Sequence, residues 1–444
     1  MRRPLFAIIV TNGTPPSAGY KHQKMRKENP SLLKTPSNLR IANQIAVMEA
    51  IRKKPSSCSE LSHLLSLSAP ALKKITEELH AESLIIQYTP EKKGKQGRGR
   101  EKVLYSLNDD LGVFASIDLS GRDLNYCLSD LSNRILARGS IPNVIYIDSD
   151  VLSLLVERVK EMLLSPAAKG RPLLGLCISS PGKIDPVSGY FVSAPRFTDY
   201  RKLNLREFFS SALKTEVEAR NDIKLGLLGE LKFGAIPKDC RNAFFAHIDV
   251  TSGSSFLFNG EIYLGSNGYS GEMPNISPVD EISSSYFDRF FTITDIFVAI
   301  REFGKDDPDP FYSKATFSLS EVIDRYRKKD KIVLKAVETS AKKNALKLLE
   351  IANLLDPDCI CLDGRILDFG KGYLDSIQKY FRLYDANCVT TSIITSSLDH
   401  DANLLGAVAE ASDHYLLSRF VEMAKKRTNR DDYDAEAYFS SRIQ

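Results

Sequence analysis

Lysine and arginine side chains near the N-terminus could bind the phosphates of a nucleic acid. Lys73 and Lys74 stand near the start of a predicted helix, and residues 92–100 read Lys-Lys-Gly-Lys-Gln-Gly-Arg-Gly-Arg. Residues 1–108 hold 19 Lys and Arg against 8 Asp and Glu, a net charge of +11. The remaining residues hold 41 against 48, a net charge of −7. A basic N-terminal part on an acidic body indicates that only the N-terminal part binds a polyanion.

Two predicted strands each end at an aspartate that is followed by a turn containing glycine. The strand over 113–118 runs into Ile-Asp-Leu-Ser-Gly, and the strand over 243–249 runs into Ile-Asp-Val-Thr-Ser-Gly. The second copy continues as a hairpin that turns at Asn259 and Gly260, a strong two-residue turn signal. This repeat predicts two similar lobes around a cleft, as in the actin-like ATPases and sugar kinases.

The sequence predicts three helices before residue 84, and the third carries Lys73 and Lys74. Apolar residues at three- and four-residue spacing predict a helix from Asn38. Ser57 and Glu60 form a capping box for a second helix, whose buried face is expected to include Leu64. Ser68 is expected to cap a third.

Strands predicted over 84–88 and 103–107 enclose the basic segment 92–100. Three helices followed by a basic hairpin are typical of a winged helix-turn-helix, which places the N-terminal residues of its third helix in the major groove of DNA. The alternative is that Lys73 and Lys74 only face solvent and the basic segment is a flexible linker. We expect the DNA contacts to come from Ser68, Ala71, Lys73, Lys74, Arg98 and Arg100.

Composition and cysteine use narrow the class of protein. The ordinary composition of the 444 residues excludes disordered and fibrous classes. Apolar runs fall short of the ~20 residues of a membrane helix, and Thr11-Asn12-Gly13 interrupts the short apolar start, so we expect a cytoplasmic protein without a membrane segment. The seven scattered cysteines predict buried thiols in a reducing compartment and no metal site.

Several motifs resemble the ROK family of bacterial repressors and sugar kinases, over nearly all of the chain from Asn38 to about Leu417. The resemblance implies an α/β fold with a winged helix-turn-helix before a two-lobed, actin-like sugar-kinase domain. Asn38-Leu39-Arg40 and Leu67-Ser68 are similar to the repressor branch, because the kinase branch lacks this N-terminal part. The matching blocks are 180–186, 189–195, 218–222, 228–235, 265–268, 271–272, 355–357 and 404–407.

The phosphate-binding turns depart from the family pattern. Family kinases hold ATP with glycine-rich turns, whereas the chain has Asp118-Leu119-Ser120-Gly121-Arg122 and Thr251-Ser252-Gly253-Ser254-Ser255. The expectation is that two serine side chains occupy phosphate positions in the second turn and that Asp363 repels a nucleotide. We therefore expect no ATP binding, no cofactor and no kinase activity, with Arg122 left as a weaker anion contact.

The zinc site of many family members is also expected to be missing. The position of its histidine is Asn275, and 273–297 contains no cysteine. Since a closed zinc site needs four ligands, we expect no bound metal.

Sugar recognition is implied by residues that match the family's hydroxyl-binding positions. Asn221 and Asp222 match a pair that contacts sugar hydroxyls, and Asp222 matches the kinase base, here expected to be inactive. The alternative for this pair is a turn or helix cap. Glu272 matches a second hydroxyl-binding carboxylate. Arg196 follows Ser-Ala-Pro, and it either binds a carboxylated or phosphorylated sugar or faces solvent. Asn275 completes the expected sugar-binding set.

Together these patterns predict a sequence-specific transcription regulator, a repressor of carbohydrate uptake or catabolism genes that responds to a sugar or sugar derivative in the cleft. The expected partners are operator DNA, the sugar effector and a second copy in a homodimer or dimer of dimers. The alternatives are a ROK-type sugar kinase and a ligand-independent regulator. The predicted segments are an extension (1–36), the winged helix-turn-helix (37–108), a first lobe (109–222), a second lobe (223–404), and a C-terminal helix returning to the first lobe, with a tail (405–444).

Overall fold

The computed structural model describes residues 36–90, 102–185, 188–272 and 292–428. Its N-terminal part, here called the head, consists of three helices and an antiparallel strand pair. These are α1 (Pro36–Lys53), α2 (Cys58–Leu65), α3 (Ala69–Ala81), β1 (Ile85–Tyr88) and β2 (Leu104–Leu107).

Local hydrogen bonds begin two of these helices where the sequence predicts. Ser57 Oγ accepts from the N–H of Glu60, and the Glu60 carboxylate accepts from the N–H of Ser57. Ser68 Oγ accepts from the N–H of Ala71 at the start of α3. The expectation for Leu64 is wrong. Its side chain is 66% exposed, because α2 is only 8 residues long and Leu61 fills its contact with the rest of the head.

The first lobe is built on a five-stranded sheet in the order β5-β4-β3-β6-β9. Strands β3, β4 and β5 form an antiparallel meander, and β6 and β9 continue the sheet parallel to β3. All six residues of β3 are buried, as a central strand with covered faces requires. The elements are β3 (Val113–Asp118), β4 (Leu124–Ser129), β5 (Ile135–Ile141), α4 (Ser149–Leu164), β6 (Leu173–Ser180), β7 (Lys183–Ile184), β8 (Phe191–Ser193), α5 (Leu205–Leu213) and β9 (Val217–Asn221).

The second lobe repeats this pattern with the order β12-β11-β10-β13-β14. A meander of three strands again joins two parallel strands, and Asn259 and Gly260 form its turn with φ of 53° and 87°. The predicted internal repeat is thus confirmed. The elements are β10 (Ala243–Ile248), β11 (Ser252–Phe258), β12 (Glu261–Tyr263), α7 (Ile293–Phe303), α8 (Leu319–Arg327), α9 (Lys331–Leu355), β13 (Cys359–Asp363), α10 (Lys371–Tyr384) and β14 (Ser392–Thr395).

Two helices connect the lobes and the head. Helix α6 (Asp222–Lys232) follows β9 directly, and α11 (Ala402–Thr428) packs along α6, on β3 and β6 of the first lobe, and on α1 of the head. Glycines permit the close crossing, since a Cβ on Gly406 would collide with the backbone carbonyl of Leu225, and one on Gly229 with that of Ala402. The head is therefore packed against the same helix that joins the lobes.

Candidate functional site

A cleft opens where α6 begins. Its walls come from the loop after β6, from the junction of β9 with α6, and from the loop after β12 in the second lobe. The lining residues are Gly182, Lys183, Ile184, Arg206, Ala219, Arg220, Asn221, Lys224, Leu264, Gly268, Tyr269 and Glu272.

Asn221 serves both as a helix cap and as part of the cleft wall. Its Oδ1 accepts from the N–H of Lys224, so it is the N-cap of α6. Its Nδ2 donates to the carbonyl of Gly182 at 3.2 Å and to Asp222 Oδ1 at 3.0 Å. The alternative interpretation as a helix cap is therefore correct for this residue. As the cap of α6, Asn221 still has its side-chain amide at the edge of the cleft.

Asp222 is a carboxylate in an unfavourable electrostatic environment. Burial, together with the nearby charge of Asp118, raises the pKa of Asp222 to about 7. Its Oδ1 accepts from Asn221 Nδ2 at 3.0 Å and from the backbone N–H of Ile223 at 2.9 Å. A carboxylate of this kind can accept from a hydroxyl when ionised and donate when protonated.

Glu272 faces the cleft from the second lobe, opposite the residues of the first lobe. Its Oε2 lies 3.9 Å from Lys183 Nζ, the outer limit of an ion pair. Lys183 Nζ also lies 5.7 Å from the ring centre of Tyr269. The structure thus brings Asn221 and Glu272, predicted from sequence, to one cleft, with Asp222 bonded directly to Asn221.

Lys224 is a cleft residue that the sequence analysis did not identify. Its residue surface is 9% exposed, and its Nζ donates to the carbonyl of Gly268 at 2.6 Å. Burial lowers the pKa of Lys224. Its position in the first turn of α6, two residues after Asp222, was the available signal, because that turn must face whatever the Asn-Asp pair faces.

Arg196 has a role that neither expectation foresaw. Its guanidinium donates to three successive carbonyls of the first turn, those of Leu119, Ser120 and Gly121, at 2.7, 2.7 and 2.8 Å. It also donates to Val144 and Ile145 at 2.8 and 3.4 Å. The arginine holds the first turn in place, and its assignment to sugar binding stays a prediction.

The first turn is closed by its own side chains as well. Asp118 Oδ1 accepts from both the N–H and the hydroxyl of Ser120, at 3.1 and 2.7 Å. Asn403, at the start of α11, donates to Ser120 Oγ at 2.9 Å. Serine thus links the turn to the helix that connects the lobes.

The second turn differs from the sequence expectation. The turn itself lies at Asp249–Thr251, since β11 already begins at Ser252. Ser254 Oγ donates to the carbonyl of Gly271, and Ser255 is fully buried in the strand. The two serine side chains therefore belong to the packing of β11, and the expectation that they fill the turn is wrong.

Asp363 is also paired within the protein. Its carboxylate lies 2.6 Å from Nδ1 of His247, its register partner on the adjacent parallel strand. Although burial opposes it, this contact raises the pKa of His247. Asp363 is 4% exposed. Its carboxylate is therefore paired with His247 inside the protein and is not the free charge expected to repel a nucleotide.

The predicted DNA-binding residues lie on one side of α3. Ala71, Lys73 and Lys74 are exposed, whereas Leu72 and Ile75 between them are buried in the head. Lys73 Nζ lies 3.7 Å from Glu77, with both side chains largely exposed. Ser68 is exposed, and its hydroxyl caps the helix. Arg98, Arg100 and Asn275 lie outside the described residues.

Charged side chains join the far end of α6 to the head. Lys232, the last residue of α6, lies 2.9 Å from Asp413 of α11 and 3.3 Å from Glu49 of α1. Arg52 of α1 lies 2.8 Å from the same aspartate and 2.6 Å from Glu49. These four residues, here called the junction network, connect three helices of the head and body.

In the described ranges, 36–90, 102–185, 188–272 and 292–428, the helices are all too short or too polar to cross a bilayer. The same ranges contain no group of three or more His, Cys, Asp or Glu side chains arranged to hold a metal ion.

Comparison with known proteins places these features in a family. Residues 114–414 match the ROK family. The xylose repressor of Caldicellulosiruptor bescii is 22% identical over 84% of this chain and 95% of its own length. The DNA-binding transcriptional dual regulator NagC of Escherichia coli is 22% identical over 80% of this chain and 88% of its own.

Solved structures share the fold. A ROK family transcriptional regulator, a homologue of the E. coli Mlc protein, aligns with a TM-score of 0.71 and 22% identity over 86% of this chain and 99% of that one. A ROK family glucokinase from Streptomyces griseus, in complex with glucose and AMPPNP, aligns with a TM-score of 0.56 and 18% identity. It covers 68% of this chain and 100% of the kinase. The regulator therefore aligns over a larger share of the chain than the kinase does.

Proposed function

This chain belongs to the ROK family, and from that premise we propose that it is a sugar-responsive DNA-binding repressor of carbohydrate genes. The observation that carries the proposal is the packing of a basic three-helix head on the helices that border the cleft. Regulators named as xylose repressor and NagC align over four fifths or more of the chain, which fits the same domain order. The partners are operator DNA, a sugar effector and a second copy of the chain in a homodimer.

The head supports DNA binding as a winged helix-turn-helix. Helix α3 follows α2 after a short turn and exposes Lys73 and Lys74 near its N-terminal end, the end that enters the major groove in this class. The strands β1 and β2 form the antiparallel pair of the proposed wing, and residues 92–100 lie between them in the sequence. Arg98 and Arg100 in this segment are proposed to reach the minor groove.

The cleft supports an effector site for a sugar. Asn221, Asp222 and Glu272 offer an amide and two carboxylates, which suit neighbouring hydroxyls that both donate and accept. Asp222 in this proposal binds a hydroxyl and performs no catalysis. The pocket lies between two lobes that a ligand can draw together, which shifts a population of open and closed forms.

Helix α6 provides a direct route from the effector to the head. Its first turn carries Asn221, Asp222 and Lys224, and its last residue, Lys232, binds Glu49 of α1. Displacement of α6 on closure therefore moves its contact with the head. In a homodimer this changes the spacing of the two recognition helices, and the half-sites of the operator no longer fit.

The sugar-kinase alternative has less support. The backbone N–H of Ser120, a donor that a phosphate would need, is directed to Asp118 Oδ1 at 3.1 Å, and Arg196 binds carbonyls of the same turn. Without a phosphate cradle, general base catalysis by Asp222 supplies only about 10²–10⁴-fold. Turnover of ATP with any hexose would restore the kinase alternative.

The proposal is tested with labelled DNA from upstream of the protein's own gene. Fluorescence anisotropy should show sequence-specific binding whose affinity falls steeply with salt. The double variant K73A/K74A should reduce the slope of log affinity against log salt by about two units, roughly one per phosphate contact. The matched control is Lys160→Ala, which removes an exposed lysine of α4 in the body. Failure to bind any such DNA specifically at physiological salt contradicts the proposal.

The effector is tested separately by calorimetry against a panel of sugars. Binding of one sugar, together with release of the DNA by that sugar, supports effector control. A protein that binds DNA specifically but no sugar would instead be a ligand-independent regulator.

A further inference from the structure

The cleft is lined by more positive than negative side chains. Of the described residues that line it, Lys183, Arg206, Arg220 and Lys224 are basic and Glu272 is the one acid. The two arginines are paired behind the wall, because Arg206 and Arg220 lie 3.5 and 3.2 Å from Glu218. Arg220 also lies 3.0 Å from Glu410. Lys183 and Lys224 are therefore the cations available to bind a ligand.

Lys224 is the less compensated of the two lysines. Its ammonium carries three donors, of which the carbonyl of Gly268 takes one. The charges of Glu272 and Asp222 favour the ammonium form, but burial outweighs them and lowers the pKa of Lys224. Burial of a cation that its anionic neighbours do not fully offset is costly. An anion in the cleft would remove that cost.

Lys183 lies in β7, which follows β6, and is weakly held. Its 3.9 Å separation from Glu272 is well beyond the distance of about 2.8 Å found in strong charge-assisted hydrogen bonds. The remaining acid nearby is Asp222, whose pKa of about 7 leaves it partly protonated at neutral pH. An incoming anion therefore meets two lysines that existing carboxylates do not fully neutralise.

We propose that the effector of this cleft is an anionic sugar, a sugar phosphate or sugar acid, whose charged group binds between Lys224 and Lys183. The proposal rests on the function proposed above and specifies the class of its ligand. Asn221, Asp222 and Glu272 then bind the hydroxyls, and Lys224 distinguishes the anionic sugar from its neutral parent. A charge-assisted hydrogen bond to a buried lysine corresponds to a preference of about 10- to 100-fold.

The test is isothermal titration calorimetry of the full chain with matched ligands. Glucose is compared with glucose 6-phosphate and glucuronate, and xylose with xylonate, so that phosphate and carboxylate are distinguished. At least one anionic sugar should bind about 10- to 100-fold more tightly than its neutral parent. Lys224→Met, which keeps the aliphatic stem and removes the charge, should abolish most of that preference. Lys160→Met, an exposed lysine on α4, should leave it unchanged.

Four calorimetric results overturn the inference. They are equal affinity for the neutral parent, no binding of any anionic sugar, an unchanged preference in Lys224→Met, and binding of inorganic phosphate as tight as that of the sugar phosphate. A neutral sugar that releases operator DNA would overturn this inference and leave the repressor standing. An anionic sugar that binds through Lys224 to a protein without specific DNA binding would do the reverse.

Discussion

The two ends of α6 differ in how their charges are compensated. At the far end, Lys232, Asp413, Arg52 and Glu49 pair with one another in the junction network, and each charge has an opposite partner within 3.3 Å. At the cleft end, the hydrogen bonds of Asp222 within the described part of the chain come from an amide and a backbone N–H. The same helix thus joins a charge-balanced contact to an unbalanced one. The balanced end stabilises the fold, and the unbalanced end is left for a ligand.

The two ends of α6 can keep these different roles only if the middle of the helix is held firmly against α11. The largest effect is therefore expected from Gly406→Ala, because the added Cβ would collide with the backbone carbonyl of Leu225. Backbone cannot move aside as a flexible side chain can, so we expect a loss of about 3 kcal/mol in the free energy of unfolding. Urea denaturation measures it. Gly175→Ala, whose Cβ would meet its nearest neighbour at 3.7 Å, is the control and should change stability little.

The balanced end is tested by Asp413→Asn. This change leaves Arg52 and Lys232 facing each other, and we expect a loss of about 2 kcal/mol, less than for a fully buried pair because Asp413 keeps 31% of its side chain exposed. Asp324→Asn, an exposed aspartate of α8, is the matched control. Equal unfolding midpoints for the two variants would contradict a stabilising role for the junction network.

The acid dependence of the same aspartate has a defined sign. Although burial opposes it, Lys232 and Arg52 lower the pKa of Asp413 to about 2, from an ordinary value of 3.8. Its contribution is therefore present above about pH 4 and lost as the pH falls toward 2. In Asp413→Asn this part of the acid-induced loss of stability should be missing.

The unbalanced end is tested by Asp222→Asn, for which the opposite sign is expected. Since the folded pKa of about 7 lies above the ordinary 3.8, ionisation destabilises the folded state as the pH rises. The amide removes this penalty, so the variant should be more stable than the wild type by about 1–2 kcal/mol at pH 8, a value reduced for solvent in the cleft. The gain should grow between pH 4 and 7 and be absent at pH 3. A variant less stable at pH 8 would show that the carboxylate is well compensated.

The smallest effect tests transmission from one end of α6 to the other. Lys232→Met removes the contact with Glu49 and keeps the helix. We expect the coupling between effector and DNA, measured as the ratio of DNA affinities with and without the sugar, to fall by about 1 kcal/mol. Lys160→Met should leave the ratio unchanged. An undiminished ratio in Lys232→Met would mean that the signal reaches the head by another path, such as α11.

Features set by neighbouring residues could be predicted from the sequence. The caps Ser57 and Ser68 and the turn at Asn259-Gly260 depend on side chains and dihedral angles within a few residues. The repeated strand and turn motif likewise predicted two lobes, because each copy carries its own alternation of buried strand and turn. Asn221 was identified by resemblance, because it and Asp222 match an adjacent Asn-Asp pair of the ROK family.

The tertiary structure alone decided which charges are compensated. Arg196 binds carbonyls 75–77 residues away in the chain, and Lys232 meets an aspartate 181 residues away. Asp363 faces His247 only because β10 and β13 pair in one register. Charge compensation depends on distances of a few ångströms between segments remote in sequence, and no local pattern encodes them. For that reason the sequence identified the acids and amide of the cleft, whereas the fold determined that Lys224 lies beside them and that Arg196 binds the carbonyls of the first turn.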